Sequence, residues 1–501
     1  MRFALCLSAL GLTLAGASAS CSEDTPEPLS APPPPAAVDA GPVDAGPVTL
    51  ENCTGTPEDV YGDPGPLAPD PNARGNVLKC TKAPEVVTKE VMQAKLAEHP
   101  EHPTTSKPLT SNVRVYRVAY RTERGDAAST PAISSAIVYV PETPRAGKLP
   151  IVVAARGSRG QAARCAVSKF DPSLEGINGD AYRMVYALAG YGYAVIMPDL
   201  AGYANFGAPG NPPSAYAQAA DVARSTLDGA RALKKLVPSL DDKVVLVGHS
   251  QGGFSALAAL ALSESYGTAA PIVGTAVYAP LWLSQRSWGA VLFESAGKDF
   301  PLATSIVGNV SVWYHYTEAE LLDGPGEGKK LFAPDKQAAI ESFVKNECWG
   351  SQELAKLGTY AHELFDPAFA SAVAVPAALG DECQAEHAEV CKRWVERYKA
   401  DRPNLKGAAA TTPLLLAYGL KDTTIPPNRM KCALDRLITV DHANVTACVD
   451  AEQTHGGIVS ARGEYVADWI ASLTLGEPAP AACATNESAI TESCAFPPPN
   501  D

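Results

Sequence analysis

Positive charge is scarce in this chain of 501 residues, where 41 lysines and arginines stand against 55 aspartates and glutamates for a formal net charge of −14. Binding to nucleic acid or to an anionic membrane surface needs a basic footprint, so we expect neither partner. Beyond the N-terminus the sequence also lacks any run of about 18 apolar residues, which excludes a second membrane-crossing segment. Apolar residues nevertheless make up 46% of the chain, which predicts a sizeable core and excludes global disorder.

The first residues predict export. Arg2 precedes an apolar stretch over residues 3–14 and then a run of small residues, a pattern typical of a signal peptide. Cleavage after Ala19 would release a secreted protein, whereas lipidation of Cys21 would tether a cell-envelope lipoprotein to the membrane. Twelve cysteines fit an oxidising compartment. Loss of Cys6 and lipidation of Cys21 would leave ten cysteines, enough for five disulfides, and this parity favours the tether.

Composition separates the ends of the chain from its middle. We interpret residues 1–20 as the signal peptide, 21–50 as a disordered spacer rich in proline, alanine and glycine, and 476–501 as a tail rich in proline and alanine. The middle alternates short apolar runs with helical patterns such as Ala219–Leu236. Five unalternated runs predict strands buried on both faces: Leu149–Ala155, Tyr193–Met197, Val244–Val247, Ile272–Tyr278 and Pro413–Ala417.

An antiparallel hairpin precedes these runs, around a turn at Gly125. The order predicts an α/β fold with a doubly wound, mostly parallel sheet. Residues 51–280 would hold an N-terminal extension and the first part of this core, and residues 407–475 its last part. Residues 281–406 contain helical patterns with many aromatic residues but no clear buried strand, which predicts a helical cap inserted into the core.

The strongest chemical motif is Gly248–Gly252, Gly-His-Ser-Gln-Gly. A bare Gly-x-Ser-x-Gly is weak evidence, but here a predicted buried strand runs into it and an Ala/Leu-rich helix runs out of it. Such a sharp strand-to-helix turn exposes its serine above the sheet, and the small flanking glycines leave room for the crowded backbone. Ser250 is therefore the candidate nucleophile.

A nucleophilic serine needs a base and an orienting acid, which follow it in this kind of fold in the order acid, then histidine. Asp422 comes directly after the predicted strand Pro413–Ala417 and a glycine turn, whereas the rival acids do not follow a strand so directly. His455 follows a short β-rich run and precedes Gly456, so a flexible loop would deliver it to the same edge. His442, the other histidine after Asp422, precedes that run and would lie at the wrong end of it.

Two backbone N–H groups would stabilise the oxyanion. The first belongs to Gln251, the residue after the nucleophile. The second comes from the glycine-containing loop Arg156–Gly160 after an earlier central strand, where we select the N–H of Ser158. The mechanism calls for no cofactor and no metal. His99 and His102 have a spacing that could suggest a metal site, but their proline neighbours oppose the helix that would align them.

These residues resemble the α/β-hydrolase superfamily and, more narrowly, the secretory lipase family. The resemblance extends over residues 110–475. It includes Arg156–Gly160 with the following Cys-Ala-Val-Ser, and two further motifs: Leu188–Val195 with Pro198-Asp199, and Leu227-Asp228 with Arg231-Ala232. It implies hydrolysis of carboxylic esters, with a helical cap that forms an acyl-binding tunnel, and it supports Ser250, Asp422 and His455 as a triad. Arg156 stands where that family usually carries histidine.

We therefore expect a secreted or surface-anchored lipase or esterase whose substrate is a small-molecule or lipid ester. A peptidase or an acyltransferase on the same fold would share every catalytic residue, and a non-enzymatic binding protein is a third alternative. Cys383 with Cys391, and Cys432 with Cys448, are candidate local disulfides, although sequence does not determine connectivity.

Overall fold

The protein was analysed as a computed structural model, which describes residues 50, 53–82, 85–98, 107–170, 179–204, 211–294, 306–358, 363–380, 382–483 and 494. All of them belong to the compact unit Ala45–Asp501. The predicted signal peptide, Cys21, nearly all of the spacer and most of the tail lie outside the described residues.

The described residues contain a sheet of ten strands. Their bounds are β1 (Val77–Cys80), β2 (Glu85–Val87), β3 (Val113–Glu123), β4 (Pro131–Pro141), β5 (Ile151–Ala155), β6 (Val195–Ala201), β7 (Val244–His249), β8 (Ile272–Tyr278), β9 (Leu414–Gly419) and β10 (Val445–Asp450). The order across the sheet is β1-β3-β4-β6-β5-β7-β8-β9-β10, with β2 paired to β3. The pairings on β3 and the pairing of β4 with β6 are antiparallel, and all pairings from β6 through β5 to β10 are parallel.

This topology confirms the predicted α/β sheet with an antiparallel start. The strands β5, β7 and β9 are buried along their whole length, as their unalternated apolar sequences predict for central parallel strands. Because the carboxyl ends of parallel strands lie at one edge, the residues that follow these three strands meet there.

Thirteen helices surround the sheet in the described part of the chain. They are α1 (Pro57–Tyr61), α2 (Lys89–Ala97), α3 (Gly179–Gly190), α4 (Ala219–Leu236), α5 (Gln251–Tyr266), α6 (Gln285–Glu294), α7 (Ile306–Leu322), α8 (Gln337–Asn346), α9 (Pro367–Leu379), α10 (Ala388–Ala400), α11 (Ala408–Thr411), α12 (Pro427–Thr439) and α13 (Gly457–Thr474). No helix in the described ranges has both the length and the apolar character needed to cross a bilayer.

The segment between β8 and α11 carries the five helices α6 to α10, which we call the cap. Its interior is aromatic: the ring of Trp288 stacks on Tyr314 with centroids 4.1 Å apart, and His315 contacts both rings. The two ring nitrogens of His315 lie 2.7 Å from the Ser311 carbonyl oxygen and 2.8 Å from the Tyr398 hydroxyl. Burial lowers the pKa of His315 to about 3, so this histidine is a neutral core residue.

Ten described cysteines form five disulfides. The bonds are Cys53–Cys80, Cys165–Cys348, Cys383–Cys391, Cys432–Cys494 and Cys448–Cys483. The local bond between Cys383 and Cys391 agrees with the sequence prediction. The predicted bond between Cys432 and Cys448 is wrong, because each of these cysteines instead binds one cysteine of the C-terminal tail. Spacing along the chain favoured the nearer partner, but the two disulfides bring Cys483 and Cys494 to the core.

Candidate active site

Ser250 occupies the turn between β7 and α5. Its backbone has φ 55° and ψ −121°, a region that non-glycine residues rarely adopt and that is typical of strained functional turns. The turn is held on both sides, since the Ser250 N–H donates to the Tyr278 carbonyl oxygen at 3.0 Å and its carbonyl oxygen accepts from Leu281 at 2.8 Å. Gly252 is required by crowding, because a Cβ there would lie 1.9 Å from the Ala155 carbonyl oxygen.

Asp422 and His455 form a hydrogen-bonded pair at the same sheet edge. The Nδ1 of His455 lies 2.7 Å from Oδ2 of Asp422, whose side chain is fully buried. The other carboxylate oxygen accepts from the N–H groups of Thr424 and Ile425 at 2.8 and 2.9 Å. Asp422 is thereby fixed in orientation, and it orients the imidazole in turn. Burial, followed by the neighbouring His249, holds the pKa of His455 below its ordinary value of 6.5.

The loop after β5 brings Ser158 to the same place. Ser158 and Ser250 line one cavity, and the Ser158 hydroxyl lies 2.7 Å from the Tyr216 hydroxyl. Gln251 begins α5, so its N–H is one of the helix N-terminal donors that have no partner within the helix. Both N–H groups selected from the sequence therefore belong to residues that adjoin Ser250.

Arg156 does not enter this cavity as a free cation. Its guanidinium donates to the Gln251 side-chain oxygen at 3.1 Å, to the Gly157 carbonyl oxygen at 3.1 Å and to the Asp199 carbonyl oxygen at 2.8 Å. It also lies over the Tyr203 ring, 4.9 Å from the centroid. Arg156 thus ties the loop after β5 to β6 and to the start of α5, which is a supporting role at the position where the resembled family carries histidine.

The cavity beside Ser250 has a volume of about 120 Å³ and mainly apolar walls. Ser158, Tyr216 and Ser250 contribute polar groups to its lining. The other side chains on its walls come from the cap and from the start of α12: Leu281, Trp282, Leu283, Ser287, Trp288, Val291, Val310, Trp349, Thr424, Ile425, Pro426 and Arg429. Among the described residues the Ser250 hydroxyl has no hydrogen-bond partner, so it is open to a group that enters this cavity.

Sequence reasoning missed a second histidine–carboxylate pair in the site. The Nδ1 of His249 lies 2.8 Å from Oδ2 of Asp180, and the rings of His249 and His455 lie 4.6 Å apart between centroids. The position of His249 directly before the nucleophile was a signal that could have drawn attention to it. No sequence signal pointed to Asp180, because it lies in the first turn of α3 and reaches the site through the packing of that helix.

The rival residues lie in other contacts. Asp441 and Asp450 pair with Arg436 and Arg462, and Asp435 pairs with Lys431 on α12. His442 is exposed and has a positive φ of 51°. None of these residues adjoins Ser250.

Metal ligands form no cluster in the described ranges: no three histidine, cysteine, aspartate or glutamate side chains lie close enough together to hold an ion. His99 and His102 lie outside the described residues. The groups brought together at the site are a serine hydroxyl, a histidine–aspartate pair and backbone N–H groups.

Comparison with known proteins gives the same fold. A model of the Alpha/beta hydrolase family matches residues 176–453, more than half of the chain. No match was found among curated proteins.

Solved structures resemble the chain over most of its length. A hydrolase from Legionella pneumophila, described as putative, matches with a TM-score of 0.61 and 18% identity, covering 81% of this chain and 100% of its own. The rice cell wall degrading esterase LipA from Xanthomonas oryzae has a TM-score of 0.57 and 20% identity, with 81% and 99% covered. Candida antarctica lipase A in its closed state has a TM-score of 0.56 and 16% identity, with 82% and 84% covered. At these identities the likeness establishes the fold.

Proposed function

The chain belongs to the alpha/beta hydrolase family, and from this premise we propose that it is a serine carboxylic-ester hydrolase, a lipase or esterase acting on lipid-like acyl esters. The observation that carries the proposal is the hydrogen bond of 2.7 Å between His455 and Asp422 beside a serine at φ 55°. An ester rather than a peptide substrate is supported by the apolar walls of the cavity and by structural neighbours that are a lipase and an esterase.

In the proposed mechanism His455 accepts the proton of Ser250 as Oγ attacks the ester carbonyl carbon. The structure shows no hydrogen bond between these two side chains, and catalytic hydrogen bonds of this kind often tighten only in the substrate complex. Asp422 holds the imidazole in the tautomer whose Nε2 is free to accept, and it stabilises the imidazolium that forms.

The developing oxyanion accepts hydrogen bonds from the N–H groups of Ser158 and Gln251. One such donor lowers the barrier by roughly 2.7–4 kcal/mol. His455 then protonates the departing alcohol, and afterwards it activates a water molecule that hydrolyses the acyl-enzyme. Arg156 stands where the resembled family carries histidine. Because its guanidinium is hydrogen-bonded to the Gln251 side-chain oxygen and the Asp199 carbonyl oxygen, it does not interfere with these backbone donors.

Replacement of Ser250 tests the nucleophile. We expect Ser250→Ala to fold with an unchanged circular dichroism spectrum and melting temperature, to lose p-nitrophenyl ester hydrolysis and to lose labelling by a fluorophosphonate probe. Ser263→Ala, on the same helix with its hydroxyl donating to the Leu260 carbonyl oxygen, is the matched control and should keep both. Full turnover in Ser250→Ala would refute the proposal.

The chemical outcome separates the remaining alternatives. A peptidase or an acyltransferase would be labelled at Ser250 as well, so the products formed from a mixture of ester, peptide and acyl acceptors decide between them. Folded protein that the probe does not label would point to a non-enzymatic binding protein.

Export is part of the same proposal. Five disulfides support an oxidising compartment, where such bonds persist. Mass spectrometry of the mature N-terminus distinguishes the two routes. A lipid-modified Cys21 would establish the membrane tether, and an unmodified N-terminus beginning at Ser20 would establish a secreted protein.

A further inference from the structure

His249 lies at the centre of a buried network that joins two loops of the candidate site. Its Nδ1 lies 2.8 Å from Oδ2 of Asp180, and its Nε2 lies 2.9 Å from the backbone carbonyl oxygen of His455. The same Oδ2 accepts the Gly157 N–H at 3.1 Å, while Oδ1 is paired with Arg159. One carboxylate therefore holds the loop of the oxyanion donor and, through His249, the loop of the general base.

Both ring nitrogens of His249 face hydrogen-bond acceptors. A backbone carbonyl oxygen only accepts, so Nε2 must carry a proton. Asp180 is also an acceptor, because a carboxylate that receives a backbone N–H and a guanidinium is ionised. Although burial raises it, the Arg159 charge and the His249 hydrogen bond hold the pKa of Asp180 well below its usual range. A ring protonated on both nitrogens, an imidazolium, satisfies both of these contacts.

We propose that His249 is a cationic positioning residue, which fastens the His455 loop to the Gly157–Ser158 loop and keeps His455 in its neutral, proton-accepting form. This inference rests on the proposed function. It gives a task to a buried charge that the triad chemistry leaves unused, since neither Asp180 nor His249 contacts the reacting atoms in the proposed mechanism.

The charges around His455 favour this reading. The cation on His249 lies with its ring 4.6 Å from the His455 ring, and it disfavours a second positive charge there. Burial also lowers the pKa of His455, whereas the carboxylates of Asp422 and Asp180 raise it. The net result is a pKa of His455 below its ordinary value. On the remaining sides, α3 brings Arg183 within 3.7 Å of the Cβ position of Gly456, and the loop after β5 brings Arg159 to Asp180.

The pH dependence of turnover provides the first test. In His249→Gln the cation is gone, so we expect the acid limb of kcat/KM for a p-nitrophenyl ester to move upward by about one pH unit. We also expect kcat to fall about tenfold with little change in KM, because the base is less well positioned. The matched control is His387→Gln on the cap, which removes an imidazole far from the triad and should leave the profile unchanged. An acid limb that stays in place or moves to lower pH in His249→Gln would overturn the proposal.

A second test needs neither turnover nor a variant. In wild-type protein labelled with ¹⁵N-histidine, we expect the two ring nitrogens of His249 to show the chemical shifts of protonated nitrogen at pH 7. Shifts of a neutral tautomer would overturn the proposal even if His249→Gln failed to fold.

Failure of the proposed function would look different: the wild-type protein would neither hydrolyse the ester nor react with the fluorophosphonate probe, whatever the charge state of His249.

Discussion

Gly157 occupies a position where a side chain would compete with two functional groups. A Cβ there would lie 2.6 Å from Oδ2 of Asp180 and 3.5 Å from Cβ of Ser250. The first distance is below any ordinary contact, so the backbone that carries the Ser158 N–H would have to move. The glycine in this loop is needed for space, and its own N–H is one of the bonds that hold Asp180 in place.

We therefore expect Gly157→Ala to lower kcat/KM for a p-nitrophenyl ester by about a hundredfold, the effect of losing one oxyanion donor. Labelling of Ser250 by the fluorophosphonate probe should slow as well. The matched control is Gly62→Ala at the end of α1, where the nearest atom to the added Cβ lies at 3.6 Å. Equal kinetics in Gly157→Ala and Gly62→Ala would contradict this role of the loop.

Site residues that directly follow a predicted buried strand could be identified from the sequence. Ser250 follows a buried strand, and Asp422 follows another, so both had to emerge at one sheet edge. Asp180 and Tyr216 were not accessible, because their partners Gly157 and Ser158 lie 23 and 58 residues away and no motif connects them. Their contacts depend on how a helix and a loop pack over the sheet edge.

At the scale of elements, the junction between the cap and the core contains buried acids. Asp401 follows α10, and its carboxylate accepts the Ala219 N–H at the start of α4 at 2.9 Å and the Tyr314 hydroxyl of α7 at 2.7 Å. Glu318 of α7 is also buried, and one of its oxygens has no partner among the described residues. Burial raises the pKa of both Asp401 and Glu318.

A raised carboxyl pKa means that the folded protein binds this proton more tightly than the unfolded chain does. The stabilisation is then fully present below the unfolded value near 4 and is lost as pH rises towards the folded value. We expect the melting temperature of Asp401→Asn to improve relative to wild type as pH rises from 4 to 7, since the variant has no charge to bury. Asp435→Asn on the surface of α12 is the control. A difference that is constant across this range would show that Asp401 does not titrate there.

The ends of helices and strands could be predicted where the pattern of apolar residues alone determines them. The helix α4 and the strand β8 begin and end at the predicted residues. The strand β6 runs on from the predicted end at Met197 to Ala201, through Pro198 and past a register shift opposite Ser135. Proline argued against a continued strand, but the irregular pairing with β4 accommodates it.

At the scale of the whole molecule, one disulfide connects parts that are very distant in sequence. Cys165–Cys348 links the loop region after β5 to the cap across 183 residues. The loop after β5 and the cap also pack closely beside this bond. The Trp349 N–H donates to the Arg159 carbonyl oxygen at 2.8 Å, and a Cβ on Gly160 would lie 2.6 Å from the Glu347 carbonyl oxygen.

Loss of this bond should destabilise the fold more than loss of the local bond in the cap. On chain entropy alone, a closed loop of this length contributes about 5 kcal/mol to stability, against about 2.5 kcal/mol for the eight-residue separation of Cys383–Cys391. We expect the double variant Cys165→Ser with Cys348→Ser to show the larger drop in melting temperature, and also a lower kcat. The variant with Cys383→Ser and Cys391→Ser should keep its kcat. The reverse ranking would contradict the assignment.

The bond between Cys165 and Cys348 also limits how the mouth of the cavity widens. Because this bond fastens the cap to the loop region that follows β5 and contains Ser158, lifting the cap at that corner would pull the proposed oxyanion donor away from Ser250. Opening of the cavity on this side would therefore separate the two N–H groups of the proposed oxyanion hole. The cavity walls from α6 and from the start of α12 are not held by this bond, so the corner beside Ser158 is the part of the cavity that the disulfide keeps fixed.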